Sequence, residues 1–289
     1  MDNPTNENPL IAAAVARGQQ TLSEYESKLL LADFGIPVVQ EALAGSMTEA
    51  GRLADTIGFP VAVKGCSPHL QHKTEAGVID LGLASKAAVK KAGRRISAAA
   101  PVALDGLLVQ EMVRGTRELV MGLVREPQFG PCVMFGLGGV LAEVLDDTVF
   151  RVAPFDRLEA EELIGEIRAS AILDSFRGEQ PVDSDQLCDA LLALGRIGCD
   201  HPQIAEIDIN PMIVTPGGEI TAVDALVVLD EPVSDRTYPP PIDPATLGKS
   251  FHPKSIVFVG ATATMGKWGH TLLAVTISRG FKGEIYLVN

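Results

Sequence analysis

The sequence predicts an α/β protein of the mixed α+β kind, with mainly antiparallel strands, and a separate strand, turn, helix, strand segment at its end. Three observations predict it. Between residues 106 and 154 the runs GLLVQEMV, RELVMGLV, PCVMFG and TVFRVAP follow one another, parted by Gly, Pro and Arg turns. Further on, IAEIDINPMIV and ITAVDALVVLD are joined by TPGGE, which reads as a hairpin. Helical patterns stand before and between these strand groups rather than alternating with single strands, so a regular βαβ repeat is not expected.

Taken in order, residues 1–20 open on polar residues and carry no clear helix end signal, so they read as a loosely held leader. Ser23 and Glu26 then form an S-x-x-E capping box. Glu24 and Lys28 stand one turn apart, and Gly35 with Pro37 stops the helix that carries Tyr25, Leu29 and Phe34. Residues 47–57 keep helical spacing up to Gly58 and Pro60, VAVK follows as a short strand, and Ser85 opens a helix over 86–99. After the strand group come helices near 156–168 and 184–198, and then the hairpin strands. Residues 231–250 hold a cluster of prolines with little apolar periodicity and read as a linker. Beyond it, SIVFVGATATMGKWGHTLLAVTISRGFKGEIYLVN returns to strand, glycine turn, helix and strand.

Composition narrows the function. At 289 residues and 46% hydrophobic, the chain can bury one large core or two smaller ones. Lysine and arginine number 24 against 37 acids, a formal charge of −13. Nonspecific attraction to nucleic acid or to an anionic membrane is thereby excluded, and any bound anion needs locally gathered cations. No run of eighteen apolar residues appears, and MDNPTNENPL lacks the parts of a signal peptide, so a cytoplasmic protein is expected. Cys66, Cys132, Cys188 and Cys199 show no CxxC spacing and read as reduced structural thiols.

Three stretches carry chemistry. In KGCSPHLQHK a strand runs into Lys64 and then into His69, His72 and Lys73 on a Ser/Pro loop, the pattern of a surface loop or of a phosphate-handling one. In the hairpin, Glu206, Asp208 and Asn210 share one strand face, and a turn centred on Gly217 sets Asn210 opposite Asp224. A carboxylate and an amide oxygen meeting there suit Mg²⁺, although the same pattern also suits the polar outer face of a sheet. In FGLGGVLAEVLDDTVFRVAP, glycines at 136, 138 and 139 free the backbone to approach a ligand, and Arg151 could reach phosphate oxygens; a plain glycine turn with a solvated arginine fits as well.

Five ordered blocks together resemble the ATP-grasp nucleotide-binding unit of the NDP-forming acyl-CoA synthetases, the ADP-forming acetate–CoA ligases, and more distantly the β subunit of succinyl-CoA synthetase. They are LSEYESKLLLADFGIPV, VAVKGCSPHLQHKTEAGV, LLVQEMVRGTRELVMG, FGLGGVLAEVLDDTVFRVAP, and EIDINPMIV followed by AVDALVV, and they span roughly residues 21–230. The resemblance implies an ATP-grasp fold of two α+β lobes. It implies that Lys64 contacts nucleotide phosphate, with Gln71, Lys73 and Arg151 also at the nucleotide, and that His72 of the SPxxxHK loop is transiently phosphorylated, His69 being a bystander. A neutral imidazole suits that role, since it is nucleophilic and titrates near neutral pH. Gln110 and the backbone near Glu111, Met112 and Val113 would meet adenine, Glu118 the ribose, and Asn210 and Asp224 would be the Mg²⁺ ligands. One departure is Val78 in EAGVID, where many relatives have a second glycine.

The last segment, 251–289, resembles the opening of that family's CoA-binding domain, an incomplete Rossmann-like unit. GATATMGK is not a P-loop: five residues separate Gly260 from Gly266, and Trp268 stands where Ser or Thr belongs. It matches better a glycine turn, with Gly260, Gly266 and Gly269, that holds the pyrophosphate of CoA at a helix N-terminus. The resemblance thus implies ATP or ADP, Mg²⁺ and CoA as ligands and a small carboxylic acid as substrate. It also implies a CoA-ligase domain or subunit carrying a first phosphohistidine as partner, as in a hetero-oligomer. Two other readings stay open: an ATP-grasp carboxylate–amine ligase that forms an acyl phosphate directly, and a catalytically inactive nucleotide-binding subunit.

Overall fold

Alternation along the strands and capping at the helix starts decide which residues turn inward. The structure, a computed structural model, describes residues 8–70, 76–139, 147–175, 178–230 and 244–288. The chain divides into two compact units, Met1–Val233 and Ser234–Asn289.

In the first unit, helix α1 (Pro9–Ala16) starts at Asn8, whose side-chain oxygen accepts the Leu10 amide, and it buries Ile11 and Ala14. Residues 8–20 are therefore not the loose leader expected; two turns that are half alanine and otherwise apolar leave little amphipathic signal to read. Helix α2 (Glu24–Asp33) starts as predicted. The Glu26 amide donates to Ser23 Oγ at 3.3 Å, and the Ser23 amide donates to Glu26 Oε2 at 3.0 Å.

Strand β1 (Glu41–Ala44) leads to α3 (Met47–Ile57), β2 (Val61–Cys66), β3 (Ile79–Leu83), α4 (Lys86–Ala99) and β4 (Gly106–Glu111). The four strands form an antiparallel sheet ordered β1-β4-β2-β3. Ser46 and Ser85 cap the helices, which lay Ala50, Ala54, Val89 and Ile96 against Val61, Val63, Leu107 and Val109. Each buried valine or leucine of this kind is worth about 1.5–3 kcal/mol. The edge strands β1 and β3 leave no clear mark in the sequence: both are short, and neither shows a clean buried and exposed alternation.

The second sheet is ordered β10 (Ala225–Leu229), β8 (Ile204–Val214), β5 (Arg117–Glu126), β6 (Gly130–Leu137), β7 (Thr148–Val152), with β9 (Ile220–Ala222) also on β8. Helix α5 (Arg157–Glu166), a 3₁₀ turn at Ser170–Leu173 and helix α6 (Ser184–Asp200) follow β7. Leu187, Leu191, Leu194 and Ile197 of α6 share a core with Leu123, Val133, Phe135 and Ile207. Register aligns Ile207, Leu123 and Val133 in one row and Asp208, Gly122, Met134 and Phe150 in the next. Successive residues point to opposite faces, so Asp208 lies on the sheet face away from α6.

In the second unit, α7 (Pro244–Phe251) occupies the end of the stretch expected to be linker, whose residues 231–243 lie outside the described residues. Strands β11 (Ser255–Val259) and β12 (Glu284–Val288) pair in parallel, with α8 (Trp268–Ser278) between them in sequence, as predicted. No residue of α8 is buried, and Val259 and Trp268 are 82% and 80% exposed. The four cysteines are free thiols, as expected; Cys199 alone of them is exposed, so it packs into no core. Among the described residues no helix is long and apolar enough to cross a membrane.

Candidate functional site

The hairpin register is the one the spacing predicts. Met212 pairs with Ala222 and Ile209 with Ala225, which leaves Asn210 facing Asp224. The Asn210 amide donates to the Asp224 carbonyl at 3.3 Å, and the Val223 amide donates to the Pro211 carbonyl at 3.0 Å. Val223 and Asp224 fall in the break between β9 and β10.

Helix α2 delivers two charged side chains, Glu24 and Lys28, to the same place, where β2 brings Lys64. Lys64 is 3% exposed. Its Nζ lies 2.6 Å from Glu24 Oε1 and 3.5 Å from Asp224 Oδ2, and it donates to the Val223 carbonyl at 3.2 Å. Lys28 Nζ donates to Glu24 Oε1 at 2.8 Å and to the Val223 carbonyl at 3.1 Å, and lies 2.5 Å from Glu41 Oε2. Burial opposes the Lys28 ammonium, but Glu24 and Glu41 outweigh it and hold its pKa above the ordinary lysine value. Glu41 responds the other way: burial pushes its carboxyl up to about 7 despite Lys28.

A cleft of about 210 Å³ opens at this cluster, lined by Glu24, Ser67, Asp208, Asn210 and Asp224 among others. Burial pushes the Asp208 carboxyl up to about 6, and the nearby charges of Glu206 and Asp224 add to the push. Three oxygen-bearing side chains at one cleft, one of them reluctant to ionise without a cation, make a donor set that fits Mg²⁺. Among the described residues no group of three or more His, Cys, Asp or Glu is placed to hold a metal ion. Glu24 and Asp208 were missed as site residues. Asp208 was legible, since it shares a strand face with Asn210; Glu24 reads in the sequence only as helix support.

The other expected residues are distributed as follows. Gln110, 1% exposed, donates through Nε2 to the Val223 carbonyl at 3.2 Å, while Lys28 Nζ donates to its Oε1 at 3.4 Å. Glu111 closes β4, and its Oε1 accepts the Gln40 amide at 2.9 Å. Half-buried Met112 and Val113 follow in the connection from the first sheet to the second. Glu118, exposed at the start of β5, lies against the 138–139 turn: its carbonyl accepts the Gly138 amide at 2.8 Å. A Cβ at Gly136 or Gly138 would meet Asp147 O at 2.7 Å or Leu119 O at 2.9 Å, so these two glycines serve close packing of chain on chain, while Gly139 takes φ of 66° with only the Glu118 side chain near it.

Arg151 is corrected. It aligns with Val133 on the α6-facing side of the sheet, and its Nη2 donates to Glu166 Oε1 at 2.7 Å. Strand alternation thus points it away from the Asp208 face. His69 is exposed, with its amide on Ser67 Oγ at 3.3 Å. Gln71, His72 and Lys73 lie outside the described residues.

In the second unit, Gly260 and Gly266 take φ of 79° and 82°, open to glycine at little cost. A Cβ at Gly269 would lie 2.3 Å from the Gly260 carbonyl, so α8 starts hard against the end of β11. This is the close helix–strand contact that a glycine turn of Rossmann type requires.

The chain is similar to known proteins. The ATP-grasp domain family model matches residues 13–229. The Pyrococcus furiosus acetate–CoA ligase (ADP-forming) I subunit beta is 39% identical over 234 residues, which are 79% of this chain and all of the relative. The Archaeoglobus fulgidus acetate–CoA ligase (ADP-forming) I is 40% identical over 208 residues, 71% of this chain but only 30% of that longer protein. Among solved structures, an acetyl-coenzyme A synthetase 1 of Ca. Korarchaeum cryptofilum is 42% identical, with a TM-score of 0.68 over 76% of this chain and 98% of its own. That protein is bound to coenzyme A and Mg-AMPPCP, with its phosphohistidine segment pointing towards the nucleotide-binding site.

Proposed function

The chain belongs to the ATP-grasp domain family of the ADP-forming acetate–CoA ligases, and from that premise we propose that it is the nucleotide-binding, phosphate-relaying component of an acyl-CoA synthetase. The full reaction is acid + CoA + ATP ⇌ acyl-CoA + ADP + phosphate. The observation that carries this reading is the cleft lined by Asp208, Asn210 and Asp224, with Lys64 Nζ 3.5 Å from Asp224 Oδ2. Lys64 brings a fixed cation beside Asp224; at about 4 Å from a phosphate and an effective dielectric near 20, one such charge is worth about 4 kcal/mol. Asn210 and Asp224, with Asp208 beside them, would hold Mg²⁺, which neutralises phosphate charge when bound.

His72 is the phosphoryl carrier. As ATP is consumed, an imidazole nitrogen bonds to the γ-phosphorus while the bond to the β–γ bridging oxygen breaks, and ADP leaves. In the other direction the same histidine returns the phosphoryl group to ADP. Gln71 and Lys73 flank it and would steady the transferred charge. Gln110 and the chain through Glu111, Met112 and Val113 would bound the adenine, and Glu118 the ribose. Arg151 is given no part at the phosphates. The glycine turn of the second unit, through Gly260, Gly266 and Gly269, would receive the pyrophosphate of CoA. The partner is a CoA-ligase domain or subunit, and the substrate a small carboxylic acid. A cytoplasmic location fits a chain whose described helices include none able to span a membrane.

The site is tested by ADP affinity with and without Mg²⁺. Asp224→Asn removes a charge beside the phosphates, so the variant should lose a few kcal/mol of the Mg²⁺-dependent part of binding. Wild-type Mg²⁺ dependence in the variant would reduce Asn210 and Asp224 to a polar sheet face.

A further inference from the structure

Lys28 is paired with Glu24 of the cleft wall, its side chain 1% exposed, and the proposed reaction gives it no task. Its ammonium is a junction of four elements: Glu24 of α2, Glu41 of β1, Gln110 of β4, and the Val223 carbonyl between β9 and β10. Burying an ammonium is costly even when it is fully paired, and an apolar side chain of similar length often serves the fold as well. The charge calls for an account in what it arranges.

Two contacts supply one. Glu24 Oε1 is shared between Lys28 Nζ at 2.8 Å and Lys64 Nζ at 2.6 Å. One carboxylate oxygen thus ties the two ammonium groups together, while Asp224 at 3.5 Å from Lys64 and Glu41 at 2.5 Å from Lys28 complete the charge pairing. The Val223 carbonyl is likewise shared, accepting from Lys28 at 3.1 Å, Lys64 at 3.2 Å and Gln110 Nε2 at 3.2 Å. The next residue in the chain is Asp224. Lys28 thus bears on both Lys64 and Asp224 without lining the cleft.

We propose that Lys28 is a positioning residue of the nucleotide site, holding Val223 so that Asp224 faces the cleft and fixing the Glu24 carboxylate that in turn holds the Lys64 ammonium beside Asp224. The proposal rests on the reading of Lys64 and Asp224 as nucleotide-site residues. Removing the ammonium leaves Glu24 committed to Lys64 and takes one of three donors from the Val223 carbonyl.

The test compares Lys28→Met with Lys28→Met/Glu41→Gln, in which the carboxylate stranded by the first change is neutralised. Unfolding temperature and ADP affinity, with and without Mg²⁺, are measured well below the lowest unfolding temperature of the set. The single variant should unfold at lower temperature. The double variant should recover much of that stability yet bind Mg-ADP about tenfold more weakly than wild type, as coupled neighbours do. Wild-type Mg-ADP affinity in the double variant would overturn the proposal, as would a loss equal in size with and without Mg²⁺. Lys64→Ala and Asp224→Asn run alongside. If both leave affinity unchanged, the site reading itself fails; if they weaken binding while the double variant does not, only the role of Lys28 fails.

Discussion

Asn210 and Asp224 face each other across the long hairpin, with the Asn210 amide on the Asp224 carbonyl at 3.3 Å. Asn210 belongs to an unbroken strand, while Asp224 sits where the partner strand is interrupted between Ala222 and Ala225. The interruption leaves the Val223 carbonyl facing two ammonium groups and an amide instead of a ladder partner. A ladder that is regular on one side and open on the other thus places a carboxylate among cations, next to a second carboxylate, Asp208, that resists ionisation.

The first prediction concerns pH. Asp208, pushed up to about 6, and Glu41, pushed up to about 7, hold protons more tightly in the folded chain than in the unfolded one. Their contribution to stability is therefore full below about pH 4 and fades as pH rises through those values. Asp208→Asn removes one of them, so it should gain on wild type between about pH 4 and 7, by on the order of 1 kcal/mol once solvent screening is allowed for. Denaturant unfolding across that range is the measurement. Parallel stability curves for the two proteins would show that the cleft places no strain on Asp208.

Much of this site is legible in the amino-acid sequence. Period-two alternation in EIDIN and the symmetry of the turn about Gly217 are enough to pair Asn210 with Asp224, because a strand allows only two faces and a hairpin one register. Arg151 shows the limit of the same rule. Its face depends on the register of β7 against β6, and the connection between them fixes no parity. Glu24 and Lys28 show another limit, since an i,i+4 pair looks alike whether it is solvated or buried. Here the pair is buried because α2 packs on β10, and the Thr21–Val228 bridge and the Leu22 amide on the Val227 carbonyl tie the start of the helix to that strand.

The second unit carries the second prediction. Its helix α8 buries no residue, so the amides of 255–288 should exchange faster than those of β8, whose alternate residues are buried. Gly269→Ala sets a methyl group 2.3 Å from the Gly260 carbonyl, and α8 must shift to admit it. Hydrogen exchange should then quicken across 255–288 and stay unchanged in the first unit. Slow exchange across the second unit in the Gly269→Ala variant would contradict the tight helix–strand contact.

Phosphorylation of the chain itself tests the central claim most directly. Incubation with ATP and Mg²⁺ should place an acid-labile, alkali-stable phosphate on His72, detectable by mass spectrometry, and added ADP should discharge it. The label should vanish in His72→Ala and persist in His69→Ala. Undiminished labelling of His72→Ala, or phosphate found on His69 instead, would contradict a relay through His72.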